Sequence, residues 1–212
     1  MTAPRRMGTE NSKTRQVLLD VTERLMLKEG YASVGVRRVA REAEVAPALV
    51  LYYFRTLDDL FLAVLRRRAD QELETSARLL DSARPLRALW DLSSQPGAAL
   101  ISEFMALSHH RTAIRAELCD HAERYRRLQV EILTRKAAEE GLPLPEGVPP
   151  VALLVLTTAL ARVLVIERGM GMTDGHAETE ALVERLLRQF EGAPLPGVAD
   201  SRVAVSGDGG TA

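Results

Sequence analysis

Residues 30–65 read GYASVGVRRVAREAEVAPALVLYYFRTLDDLFLAVL, and the punctuation of this stretch decides the fold. Gly30 is placed to end a preceding helix, because glycine takes the left-handed conformation that closes one without a Cβ clash. Ahead of it, Leu18, Val21, Thr22, Leu25 and Met26 follow the i, i+3, i+4, i+7 spacing of one buried stripe, which predicts a helix over 12–29. After it, a short helix over 36–43 breaks at Glu44 and Val45, and Pro47 opens a second one that runs to Tyr53. Proline suits a first helical position, where the missing N–H has no helical partner and φ is already set. Thr56 then caps a long helix over 57–81, with Asp58 and Asp59 at the positive end of its dipole.

Two short helices joined by a tight break and braced by a longer one form a helix-turn-helix unit. The second short helix has the size to enter a major groove. Arg37 and Arg38 open the first short helix, Arg41 lies one turn further, and Arg55 follows the second. Arginines beside helix-start amides bind phosphate, and Tyr52 and Tyr53 add hydroxyls that reach it. Pro47, Ala48 and Leu49 offer base edges little hydrogen bonding and suit thymine methyls. Arg37 is then the candidate for a bidentate guanine contact, worth about 1–3 kcal/mol of discrimination. Phe54 reads as core. Arg5 and Arg6 read as part of a solubilising tail, with a minor-groove arm as the alternative.

The same stretch resembles the DNA-binding domain of the tetracycline-repressor (TetR) family of regulators. Shared features are the Gly-aromatic end of the first helix (Gly30, Tyr31), a basic amphipathic second helix, a turn containing Val45, and a recognition helix ending Tyr52, Tyr53, Phe54. Several positions depart from the family pattern. Glu44 stands where a turn glycine is common, Ala46 for a capping serine, Leu51 for a tyrosine, Leu57 for a phosphate-binding lysine and Gly35 for a threonine. The resemblance implies double-stranded DNA with a palindromic operator as partner, and dimerisation through the last two helices. It also implies a small-molecule effector bound in the helical domain that weakens DNA binding, most often in a repressor.

The rest of the 212-residue chain fits an all-α fold of about nine helices. It is 46% hydrophobic and 27% charged, which excludes full-length disorder. Further helices are expected over 85–93, 97–109, 112–140, 150–169 and 177–191, with no stretch alternating as a strand does. The expected organisation is a disordered arm (1–11), a helix-turn-helix domain (12–56), a helical ligand-binding and dimerisation domain joined through the long fourth helix (57–192), and a disordered tail (193–212). Residues 1–60 carry ten Lys/Arg against eight Asp/Glu, whereas 61–212 carry eighteen against twenty-one, so the front is mildly cationic. Cys119 is the only cysteine, which excludes an intrachain disulfide and a cysteine-based zinc site. The start of the chain lacks an apolar signal-peptide core, and the apolar stretch 151–166 is interrupted by Arg162 and shorter than the roughly 20 residues of a membrane helix. A cytoplasmic protein without a membrane partner is expected.

The segment 150–169 is apolar nearly all round and must be buried on most faces, most simply against a second copy of the chain. Leu182, Val183, Leu186, Leu187 and Phe190 add a stripe on the last helix, which would complete a four-helix interface. His121 and Tyr125 share an inward stripe with Ile114, Leu118, Leu128 and Ile132. They are candidate ligand contacts, with Trp90, Phe104 and Met105 as walls, and plain core packing is the alternative for the apolar ones. Arg162 needs a counter-charge: either an ion pair with Glu117 or Asp120, or a ligand carboxylate. Cys119 is expected to be a buried small residue. His109 and His110 are adjacent and diverge on a helix, and no phosphate loop, zinc motif or nucleophile elbow is present. No catalytic residue, metal or cofactor is expected.

Overall fold

A computed structural model describes residues 13–95, 97 and 99–192. The expected arm over 1–11, the tail over 193–212, and Arg5 and Arg6 lie outside the described residues. Within them the chain is all-α: α1 Lys13–Glu29, α2 Val36–Glu42, α3 Pro47–Tyr53, α4 Leu57–Leu80, α5 Pro85–Ser93, α6 Ala99–Ser108, α7 Thr112–Glu139, α8 Pro150–Gly169 and α9 His176–Glu191. A 3-10 turn, Tyr31–Ser33, sits between α1 and α2. The chain enters it through Gly30, whose N–H donates to Met26 O at 3.0 Å and whose φ is 79°. Thr56 and Asp59 form a reciprocal capping box: the Asp59 N–H donates to Thr56 Oγ1 at 3.0 Å, and the Thr56 N–H to Asp59 Oδ2 at 3.1 Å.

Packing divides the apolar side chains into two clusters. The front core joins Leu18, Leu25 and Met26 of α1, Val39 of α2, Val50 of α3 and Leu60, Phe61 and Val64 of α4. It extends past residue 56, because Leu100, Phe104 and Leu107 of α6 and Ile114 of α7 are buried in the same cluster. The rear core joins Leu80, Leu86, Leu89 and Trp90 to Leu133, Leu154, Leu164 and Leu187. Two polar features tie distant segments together. Arg67 of α4 reaches across α1 to Asp20 at 2.5 Å and Glu23 at 2.8 Å. Glu191, at the end of α9, accepts the Leu86 N–H at 2.6 Å and the Arg87 N–H at 2.9 Å, satisfying helix-start amides that Arg84 leaves uncapped.

In α8 only Leu154, Ala161 and Leu164 are buried. Val155, Leu156, Leu160, Val163 and Ile166 are exposed, Leu156 at 65%. One chain therefore covers one side of this helix and leaves its other side bare. The sequence reading counted only 151–166, but the helix runs 20 residues with a mean hydropathy of 1.9. It is, among the described residues, the one helix long and apolar enough to cross a membrane by length and composition.

Candidate functional site

The front module presents α2 and α3 side by side. Val39 and Ala40 of α2 and Val50 of α3 are buried in the core, and Val36, Arg38, Leu49 and Tyr53 are half-buried. Arg37, Arg41 and Arg55 are exposed and have no charged partner among the described residues. Arg38 differs: its guanidinium meets Glu29 at 2.9 Å and Glu42 at 3.4 Å. Pro47 and Ala48 are exposed and Leu49 is half-buried. The Tyr52 ring is exposed and stands edge-on to Tyr53 at 5.3 Å, while Tyr53 packs against the front core. The nine candidate DNA contacts thus share one module, with Tyr53 packed against the front core and Arg38 already engaged.

The turn between α2 and α3 carries a local strain. Glu44 has φ 55°, where a side chain is disfavoured and glycine is not. Beside the end of α3, a groove of about 540 Å³ is lined by Arg15, Tyr53, Arg55, Arg66 and Arg67, with Asp59 and Asp70 among the acids. Arg15 lies 5.2 Å above the Phe54 ring centre. Sequence reasoning passed over Arg15, whose place in the first turn of α1 was the available signal.

The six candidate ligand contacts do not form one cluster. Trp90 is buried in the rear core and Phe104 in the front core. Met105 is exposed on α6, its sulfur 3.7 Å from an Arg162 guanidinium nitrogen. That is the only polar contact of Arg162 among the described residues, and the expected ion pair is absent because both acids are taken. Glu117 binds Arg66 at 2.6 Å and Asp120 binds Arg124 at 2.9 Å. Cys119 is exposed, not buried as its type suggested: its position on α7 faces away from α4.

His121 and Tyr125 do come together, with ring centres 5.7 Å apart, in a polar seam between α4 and α7. His121 Nε2 lies 3.2 Å from Glu72 Oε2, and Arg68 Nε donates to Glu72 Oε1 at 3.1 Å. Gln129 Nε2 donates to Ser76 Oγ at 3.5 Å. Burial pushes the Tyr125 phenol above its ordinary pKa, a Ser76 hydrogen bond opposes this, and the Glu72 charge adds to the rise. Glu72 and Arg68 were missed by sequence reasoning, although their i, i+4 spacing on α4 marks an ion pair. Among the described residues no group of His, Cys, Asp and Glu could hold a metal ion.

The front of the chain is thus a helix-turn-helix head with exposed arginines, carried on an all-helical body. Residues 18–64 match the family model for bacterial regulatory proteins of the tetR family. Solved structures agree on the fold. A TetR-family transcriptional regulator from Rhodococcus sp. has a TM-score of 0.68 at 19% identity, covering 85% of this chain and 100% of its own. A transcriptional regulator from Saccharomonospora viridis in complex with choline gives 0.69 at 20% identity, covering 84% and 95%. A TetR transcription regulator from Haloarcula marismortui gives 0.65 at 16%, covering 84% and 96%. A search of curated proteins finds no match.

Proposed function

We propose that the chain is a cytoplasmic, homodimeric transcriptional regulator without enzymatic activity, most simply a repressor, that leaves a palindromic operator when a small molecule binds its rear helices. The observation that carries this reading is the exposure of Arg37, Arg41 and Arg55 on the head with no acidic partner among the described residues. Solvated cations without partners are available to phosphates, and the energy of that contact comes from released counterions.

Dimerisation is supported by the bare side of α8 and by the exposed Leu182 and Leu186 of α9. A second copy covering both helices would remove this surface from water. It would also supply the second head needed for half-sites about 34–36 Å apart. The polar seam supports the effector reading, because α4 carries Glu72 and, nearer its start, helps build the front core. A ligand that moves the balance from 1:99 to 99:1 needs about 5.5 kcal/mol of differential affinity. The choline complex of the Saccharomonospora relative accords with a small-molecule site in this architecture.

A second reading, a ligand-binding protein whose head no longer binds DNA, draws on the apolar recognition face of Pro47, Ala48 and exposed Leu51. Selection of bound fragments from random DNA, followed by footprinting, separates the two. A palindromic footprint whose affinity falls linearly with log salt supports the regulator, and failure to enrich any sequence supports the alternative. Any effector found by thermal shift must also release the selected fragment.

A further inference from the structure

Most of the charged side chains of α9 are engaged within the chain. Glu180 meets Arg168 at 2.7 Å, and Glu184 meets Arg87 at 2.6 Å and Arg188 at 3.0 Å. Glu191 accepts the Leu86 and Arg87 amides. Glu178 and Arg185 differ: both are exposed, and neither has a polar partner among the described residues.

These two residues lie two helical turns apart and so share one stripe of α9, about 10 Å from end to end. Leu182, 44% exposed, stands between them, and Leu187, the buried leucine of the helix, projects from the opposite side. The helix dipole accounts for an acid in the first turn, where Glu178 sits. It does not account for Arg185, which falls short of the last turn.

A helix face with an apolar middle and opposite charges at its two ends is complementary to itself. Laid antiparallel, with the two-fold axis between Ala181 and Leu182, two copies bring Glu178 of each onto the partner's Arg185. Laid parallel, they would set like charge on like charge at both ends, which repel. The exposed side of α8 supplies apolar area but no register, since Val155, Leu156, Leu160 and Val163 carry no charge.

We infer that the occupant of this face is α9 of a second copy of the chain, running antiparallel, and that two Glu178–Arg185 pairs across the seam fix its register. This rests on the homodimer reading above and adds to it the residues that orient the partner.

Sedimentation of the full-length protein over a concentration series tests it. E178R and R185E should each raise the dimer dissociation constant about tenfold, because each turns two attractions into two repulsions. Mixed in equal amounts, the two variants should recover tight association as a heterodimer, since both contacts are again of opposite sign. The double variant E178R/R185E should recover it as a homodimer. It carries both local changes to α9, so its recovery separates a lost contact from a damaged helix. Single variants that dimerise as tightly as the original, or a mixture no tighter than either alone, overturn the register and leave the homodimer standing. An original protein that sediments as a monomer removes both.

Cross-linking reads the register without using charge, and keeps the question open to refutation if a reversed variant does not fold. In a C119S background, E178C mixed with R185C should form an intersubunit disulfide on oxidation. E178C alone should not, its two copies standing about 10 Å apart and beyond disulfide reach. Cross-linking of E178C to itself, with none to R185C, overturns the antiparallel arrangement.

Discussion

The Glu103 carboxylate of α6 accepts the Tyr31 backbone N–H at 2.7 Å, so a helix of the body grips the joint between α1 and the head directly. The joint depends on Gly30 through its φ of 79°, which L side chains rarely adopt; a Cβ there would meet the same carboxylate oxygen at an ordinary contact distance of 3.4 Å. Glu103→Ala leaves a part-buried amide unpaired and should cost about 1–3 kcal/mol, read by urea unfolding. Glu103→Gln keeps an acceptor and should recover part of the loss. A Glu103→Ala protein as stable as the original would show the bond to be idle.

Arg37 and Arg38 are adjacent but differently committed. Arg37→Ala should weaken DNA binding and lower the salt slope by about one, as expected for one lost phosphate contact. Should Arg37 read guanine instead, the loss would concentrate on one base position. Arg38→Ala removes the links to Glu29 and Glu42 and should change DNA affinity less than Arg37→Ala does. Fluorescence anisotropy titrations at several salt concentrations decide the order.

The left-handed Glu44 is a site where the family-like glycine should help. Glu44→Gly relieves the side-chain penalty but frees the unfolded chain, for a net gain of about 0.5–1 kcal/mol. The thermal midpoint should rise by a few degrees, about what that gain gives in a chain of this size. A fall in midpoint would mean that the turn is held in this conformation without strain.

If the bare side of α8 is the dimer seam, a charge at its most exposed leucine should open it. Leu156→Glu should sediment as a monomer where the unaltered protein is a dimer, and should lose cooperative binding to a two-half-site DNA. The buried cores do not include Leu156, so the monomer should keep its helical circular dichroism.

Two carboxylates of α9 respond to pH in opposite senses. Burial alone would raise Glu184, but Arg87 and Arg188 outweigh it and hold the carboxyl below its ordinary 4.5. Its contribution to stability is present above 4.5 and is lost as pH falls through the lowered value. Burial dominates at Glu191 and lifts it above 4.5, against the pull of the Leu86 and Arg87 amides. Its contribution is present below 4.5 and is lost as pH rises through the raised value. Glu184→Gln should therefore blunt the acid-side loss of stability, and Glu191→Gln the decline just above 4.5. Urea unfolding across this range checks both signs.

Helix starts were legible wherever proline marks a first position, at Pro47, Pro85 and Pro150. The turn Tyr31–Ser33 was not, because three residues have no period to read. His121 and Tyr125 could be paired from their i, i+4 spacing, but Glu72, on another helix 49 residues away, could not. The partner of Arg162 was misjudged for a related reason. With 28 Lys and Arg competing for 29 Asp and Glu, local spacing cannot say which cation claims Glu117, and Arg66 does. The commitment of Arg38 was hidden in the same way, since one of its acids, Glu29, belongs to α1.

The bond from Glu191 to Leu86 spans 105 positions of sequence, which bears on the order in which a ribosome delivers the parts. The front core is complete in composition once Ile114 has emerged, whereas α5 waits for its acceptor until Glu191 is made. At about 5–20 residues per second, that interval lasts roughly 5–20 s. During translation the reading head can close early, while the half that would answer to a ligand stays unfinished almost to the last helix.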